Sequence, residues 1–194
     1  MKTINQYINE KFQVSKNYTH QYTYQPKNKD ELIDYITYKI KKEGFGTKDN
    51  PLDLNDIDTS KITDMSKLFD AIDGPLNNLS NNGYFDISDW DVSNVKNMCY
   101  MFYVSNFDGD ISDWNVSSVK NMSFMFKWSK FTGKNGDISN WDVSNVENMY
   151  EMFNNSRFNG NIDNWDVQNT KIMYAIFANC PLSKNPPEWY KYKK

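Results

Sequence analysis

Histidine and cysteine are almost missing from this chain of 194 residues, which has one His, His20, and two Cys, Cys99 and Cys180. So few ligands leave little for a metal centre or for thiol chemistry. The two cysteines stand 81 residues apart in different columns of the repeat described below, which argues against a disulfide. No stretch approaches the roughly 18 apolar residues of a membrane-spanning helix, and mean hydropathy is -0.80. The opening MKTINQYINEKF carries one early Lys and no apolar segment, so it does not read as a secretory signal.

Aromatic residues are plentiful by contrast, with 13 Tyr, 12 Phe and 6 Trp. A disordered polar chain has no use for that much apolar surface, so a packed core is expected. Net charge is only -3 but unevenly spread. Residues 1–50 hold nine bases against six acids, 51–180 hold nine against eighteen, and 181–194 hold four against one. An acidic body with basic ends favours a basic partner and repels nucleic-acid phosphates.

Self-similarity dominates the middle of the chain. DISDWDVSNVKNMCYMF begins at Asp86, DISDWNVSSVKNMSFMF at Asp110, DISNWDVSNVENMYEMF at Asp137 and NIDNWDVQNTKIMYAIF at Asn161. A degenerate copy, DLNDIDTSKITDMSKLF, starts at Asp53, and Trp189 follows Trp165 by 24 residues. The intervals between Trp90, Trp114, Trp141 and Trp165 are 24, 27 and 24, which marks Lys134, Asn135 and Gly136 as an insertion. Nine further residues expand the loop AIDGPLNNLSNNGY. In each unit Trp90 and Val92 alternate with Asp89, Asp91 and Ser93, as in a half-buried strand. Val95, Met98, Met101 and Phe102 then recur at three and four, as on a short helix. A single such unit cannot bury its own apolar face, so neighbours must stack.

These periods predict an α/β repeat fold: a short solenoid of about five coils of 24 residues, each a strand plus a short helix, with a helical amino-terminal cap. The expected divisions are an amino-terminal helix and extended linker over 1–27, a helical cap over 28–52, the solenoid over 53–182 and a carboxy-terminal cap over 183–194. Asn28 with Glu31 reads as a capping box and Gly44 as a stop. At the far end Pro186 and Pro187 interrupt regular structure, and Trp189, Tyr190 and Tyr192 can cover the last coil.

The WDVSNVxNMxxMF core, introduced by DISxW and followed by a Phe, resembles the BspA-like leucine-rich repeat family, to which a repeat domain described as a Mycoplasma protein of unknown function is related. The resemblance covers roughly residues 53 to 182. It implies a right-handed leucine-rich-repeat solenoid that binds proteins or adheres to surfaces, with no cofactor and no shared catalytic residue. MKTINQYINE is similar to the capsid-targeting leaders of internal proteins in tailed phages, with Ile8, Asn9 and Glu10 as the cleavage triplet. A capped helix packing on the linker is the alternative for that segment. Together these expectations place the protein in the host-cell cytoplasm or in a virion, as a phage or mobile-element protein that blocks a host factor. The alternative is a structural or adhesive component.

The candidate partner-binding surface is a pair of outward columns. One holds Asp56, Asp89, Asp113, Asn140 and Asn164, and the next holds Asp58, Asp91, Asn115, Asp142 and Asp166. An acidic face for a basic protein and a merely solvated surface both fit these columns, with calcium binding as a further reading. The column before each Ile, comprising Asp53, Asp86, Asp110, Asp137 and Asn161, is expected to accept backbone N–H bonds in turns. Trp128, with Lys127, Lys130 and Lys134 beside it, is either an interface anchor or packed on the insertion. The Met and Trp columns read as core. A catalytic residue would break the repeat, and only the loop from Asp70 to Phe85 offers such a place. The prediction is therefore a non-enzymatic binder with no cofactor, no metal, no membrane span and no direct nucleic-acid contact.

Overall fold

The computed structural model describes residues 22–191. The helix expected near Ile4–Phe12, the Ile8-Asn9-Glu10 triplet, His20 and Tyr192 lie outside these residues.

Helix α1 spans Lys29–Glu43. The Asn28 side chain accepts the Glu31 N–H at 3.0 Å, while the Glu31 carboxylate reaches back to the N–H of Lys27 at 2.9 Å rather than to that of Asn28. The capping box is thus present in a form shifted by one residue. Gly44, at φ 84, ends the helix with its N–H on the Ile40 carbonyl. Leu32 and Ile36 bury one face against the common core. Strand β1 (Leu52–Asp53) pairs in parallel with β2 (Phe85–Asp86). Helix α2 (Asn77–Asn82) fills the nine-residue expansion, and a 3-10 turn (Pro181–Ser183) leads to α3 (Glu188–Lys191).

The expected solenoid of about five strand-plus-helix coils is not found. Among the described residues regular structure amounts to three α-helices, one 3-10 turn and a two-stranded parallel sheet. The segment read as a strand is a pair of turns, closed by Trp90 N–H on the Ile87 carbonyl and Val95 N–H on the Val92 carbonyl. The segment read as a helix divides its hydrogen bonds between two directions. Met101, Tyr103 and Ser105 donate back three residues, whereas Met98, Tyr100, Phe102 and Val104 donate to Asn121, Ser123, Met125 and Lys127 of the next unit. An α-helix would send every one of these N–H groups back four residues. Two positions in each of the four near-verbatim units are also left-handed, such as Tyr100 at φ 58 and Val104 at φ 57, which a right-handed helix excludes. Successive turns closed over three residues place apolar side chains at a spacing of three, which is why the sequence imitates helical periodicity.

Units are joined by parallel bridges running Asp64, Asn97, Asn121, Asn148 and Ile172. Inside, Phe102 stacks on Phe126 at 5.4 Å and Phe126 on Phe153 at 5.6 Å. Trp114, Trp141 and Trp165 stack at 6.4 and 6.5 Å. The Met and Trp columns are core, as their spacing requires. Burying each such side chain contributes about 1.5–3 kcal/mol. Trp189 and Tyr190 cover Phe177 at ring distances of 5.8 and 5.1 Å.

Candidate functional site

Three Asp or Asn columns, not one, fold back on their own backbone. In the column before each Ile, the side chains of Asp53, Asp86, Asp110, Asp137 and Asn161 accept the N–H two residues on at 2.9 to 3.0 Å. Asp58, Asp91, Asn115, Asp142 and Asp166 do the same at 2.9 to 3.2 Å. Asp64, Asn97, Asn121 and Asn148 form the third column, at 2.9 to 3.1 Å. A short side-chain acceptor fits this turn, because it supplies locally the acceptor that neither helix nor sheet provides.

The predicted binding residues therefore divide. Asp58 is buried, and it also accepts from the Gln25 amide. Asp56 is half-buried and pairs with the Lys39 ammonium at 2.7 Å. These two belong to the packing of the amino-terminal segment. Asp89, Asp113, Asn140 and Asn164 are exposed, and Asn115, Asp142 and Asp166 are exposed at their turns, with Asp91 half-buried. The hydroxyl and then the N–H of Ser144 hold the Asp142 carboxyl below the usual carboxylate range. Burial raises Asp86, but the Ser88 and Asn55 hydrogen bonds outweigh it and leave the carboxyl lowered. Both stay ionised at neutral pH.

Trp128 is 53% exposed on a left-handed backbone at φ 61. Lys127 is turned to Glu151 as an ion pair and lies 5.3 Å over the Phe124 ring, while Lys130 is exposed. The inserted Asn135 folds onto Asp108, its amide 2.7 Å from that residue's carbonyl oxygen. Both cysteines are free thiols, and burial pushes each up. Among the described residues no group of three or more His, Cys, Asp or Glu is placed to hold a metal ion.

Two features escaped the sequence reading. An open cavity of about 630 Å³ is lined by Tyr84, Phe85, Asp86, Asn106, Asp110 and Asn135 among others. It forms where both interruptions of the 24-residue period meet, so the loop expected to open a pocket contributes only its end. The second feature is an aromatic row in which Tyr100 stacks on Phe124 at 4.3 Å, Phe124 meets Tyr150 edge-on at 5.0 Å, and Tyr150 stacks on Tyr174 at 6.1 Å. Its members occupy two adjacent columns, so no single column in the sequence announces it.

The family model described as Mycoplasma protein of unknown function, DUF285, matches residues 74–189. The chain belongs to this family. The DUF285 span takes in all four near-verbatim units and the expansion around α2, whereas the degenerate copy at Asp53 precedes it. No curated protein and no solved structure matches the chain. Among the described residues of this DUF285 protein no helix is long and apolar enough to cross a membrane.

Proposed function

We propose that this chain is a non-enzymatic protein-binding module that takes a basic partner on its acidic flank. One observation carries the reading. Segments 86–95, 110–119, 137–146 and 161–170 contain nine carboxylates and not one Lys or Arg. Their turns repeat unit by unit, so the charges stand in rows rather than scattered. Charged rows on adjoining units lie within one Debye length of about 8–10 Å and act together on an approaching cation. A basic groove of the kind that holds nucleic-acid phosphates is the partner surface such rows fit, and occupying it would block a host factor.

The repeat supplies its own control. Asn115 stands in the column of Asp91 and Asn161 in that of Asp137, each closing the same turn. Exchanging Asp for Asn thus removes charge and leaves the fold. Immobilised wild-type protein and the variant carrying Asp89→Asn, Asp113→Asn and Asp142→Asn are compared for proteins retained from bacterial lysate at low and high salt. A single basic protein held by the wild type, released by salt and lost from the variant is the expected result. Equal retention by both at every salt concentration removes the acidic-flank reading.

The BspA-like adhesive or structural role is the second reading, favoured by the near-verbatim repetition of one surface over four units. It predicts multivalent retention that tolerates the three substitutions.

A further inference from the structure

We propose that the carboxy-terminal edge of the unit stack docks a peptide segment of a protein partner that takes up the same run of three-residue turns as the units, and that supplies carbonyl oxygens at alternate residues and an aromatic side chain against Tyr174. The acidic flank takes no part in this docking.

Within the segment Met98–Val104 every second N–H points to the following unit. The same holds when Met122, Phe124, Phe126 and Trp128 donate to Asn148, Tyr150, Met152 and Asn154, and when Met149, Glu151, Phe153 and Asn155 donate to Ile172, Tyr174, Ile176 and Ala178. One end of this row consequently presents acceptors and the other donors, while the bonds just before it, such as Lys171 and Ile172 N–H to the Glu147 carbonyl, run the other way and place the Lys171 carbonyl beside the donors. Lys29 of α1 occupies the acceptor end, giving its ammonium to the Ser66 carbonyl and lying 3.5 Å from the Asp64 carboxylate. A second copy stacking head to tail would meet α1 there, so self-stacking is obstructed.

The donor end is only partly covered, with Met173 and Phe177 buried and Ala175 half-buried. Among the described residues the N–H groups of Met173, Ala175, Phe177 and Asn179 donate to no protein acceptor. Trp189 and Tyr190 lie over the Phe177 ring. Ile172 and Tyr174 stay 49% and 76% exposed. The repeat breaks its own rule at this place. Ile172 stands where Asp64, Asn97, Asn121 and Asn148 accept an N–H two residues on, so the Tyr174 N–H loses its turn partner while the edge gains an apolar side chain. Tyr174 also ends the aromatic row, with one ring face toward Tyr150 at 6.1 Å. A row of donors, flanked by Ile172 and an unfinished aromatic row, complements a segment that offers carbonyls at alternate residues and a ring, as the units do to one another; addition of a partner segment to an open backbone edge is the general form of such binding.

The probe is a synthetic peptide with the sequence of residues 145–156, NVENMYEMFNNS, whose counterpart in the fold offers the carbonyls of Asn148, Tyr150, Met152 and Asn154 to the preceding unit. Amide hydrogen exchange of the full chain is followed by NMR as the peptide is added. Exchange at Met173 and Ala175 is expected to slow, with Met98 and Phe126 unchanged as reporters of the intact fold. Tyr174→Ser is expected to raise the half-saturating concentration roughly three- to tenfold, the effect of losing one aromatic pair. The proposal is overturned if neither amide slows at millimolar peptide, or if slowing persists at the same concentration in Tyr174→Ser.

Discussion

The indole Nε1 of Trp165 donates to the carbonyl oxygen of Ile138 at 3.0 Å, across the boundary between two units. The same bond recurs from Trp90 to Leu54, Trp114 to Ile87, Trp141 to Ile111 and Trp189 to Ile162. A Trp at this position therefore fills the core and ties its unit to the one before it, adding a second donor to a carbonyl that already closes a turn of its own unit.

Replacing Trp141 with Phe keeps most of the ring and removes one of the two donors of the Ile111 carbonyl, which retains the Trp114 N–H. The expected loss is about 0.5–1.5 kcal/mol, the net worth of one hydrogen bond. Trp189→Phe should cost less, because Trp189 is only half-buried at the end of the stack. Urea unfolding of both variants compares the two, and equal losses would contradict an end effect.

Asp91 accepts the Ser93 N–H at 2.9 Å. Asp91→Asn preserves that acceptor and should alter stability by less than about 0.5 kcal/mol, while Asp91→Ala should cost about 1 kcal/mol by freeing the turn. Thermal unfolding at neutral pH distinguishes them. A role for the charge alone would make the two variants alike.

Acid should weaken the fold in a defined direction. The Asp142 carboxyl is held low by the Ser144 hydroxyl and N–H in the folded chain. A lowered folded value contributes stability above the unfolded value of about 4 and loses it as pH falls through the folded one. Unfolding midpoints should accordingly hold steady down to about pH 5 and then decline. Ser144→Ala should bring the Asp142 titration, followed by NMR, back toward the ordinary range.

Ile172→Asn should restore the missing turn. Asn148 already accepts the Tyr150 N–H at 2.9 Å in the preceding unit, so slower exchange of the Tyr174 amide is expected, with a gain of about 0.5–1 kcal/mol. Unchanged exchange would mean that the last unit does not share the turn geometry of the others.

Gly46 sits at φ 70, and a Cβ there would lie 2.3 Å from both the Leu52 nitrogen and the Tyr84 oxygen. Those two atoms form the hydrogen bond beside β1 and β2, at 2.8 Å. Gly46→Ala should destabilise the chain by about 1–3 kcal/mol through strain and overlap, whereas Gly44→Ala meets no neighbouring atom within 4 Å and has only its φ to oppose it. Denaturant midpoints of the two variants test the ranking.

How far the sequence reaches can be followed residue by residue. The repeat, its length, its insertion and its buried Phe, Trp and Met columns were legible, because stacking identical units buries identical positions. The helix after Asn28 was legible too, since its cap, apolar face and terminating Gly are all local. The turn role of Asp86 and its equivalents could be read from the short side chain alone. What the periods could not distinguish was a helix from a run of three-residue turns, because both return an apolar side chain to the interior every third residue. That choice rests on where Tyr100 and Phe102 send their N–H groups, and the acceptors, Ser123 and Met125, belong to another unit. Likewise the burial of Asp58, the pairing of Asp56 with Lys39, the cavity where two insertions meet and the donor edge at Met173 and Ala175 all depend on partners distant in the chain. Local chemistry determined the units, and contacts between units decided their backbone and their open surfaces.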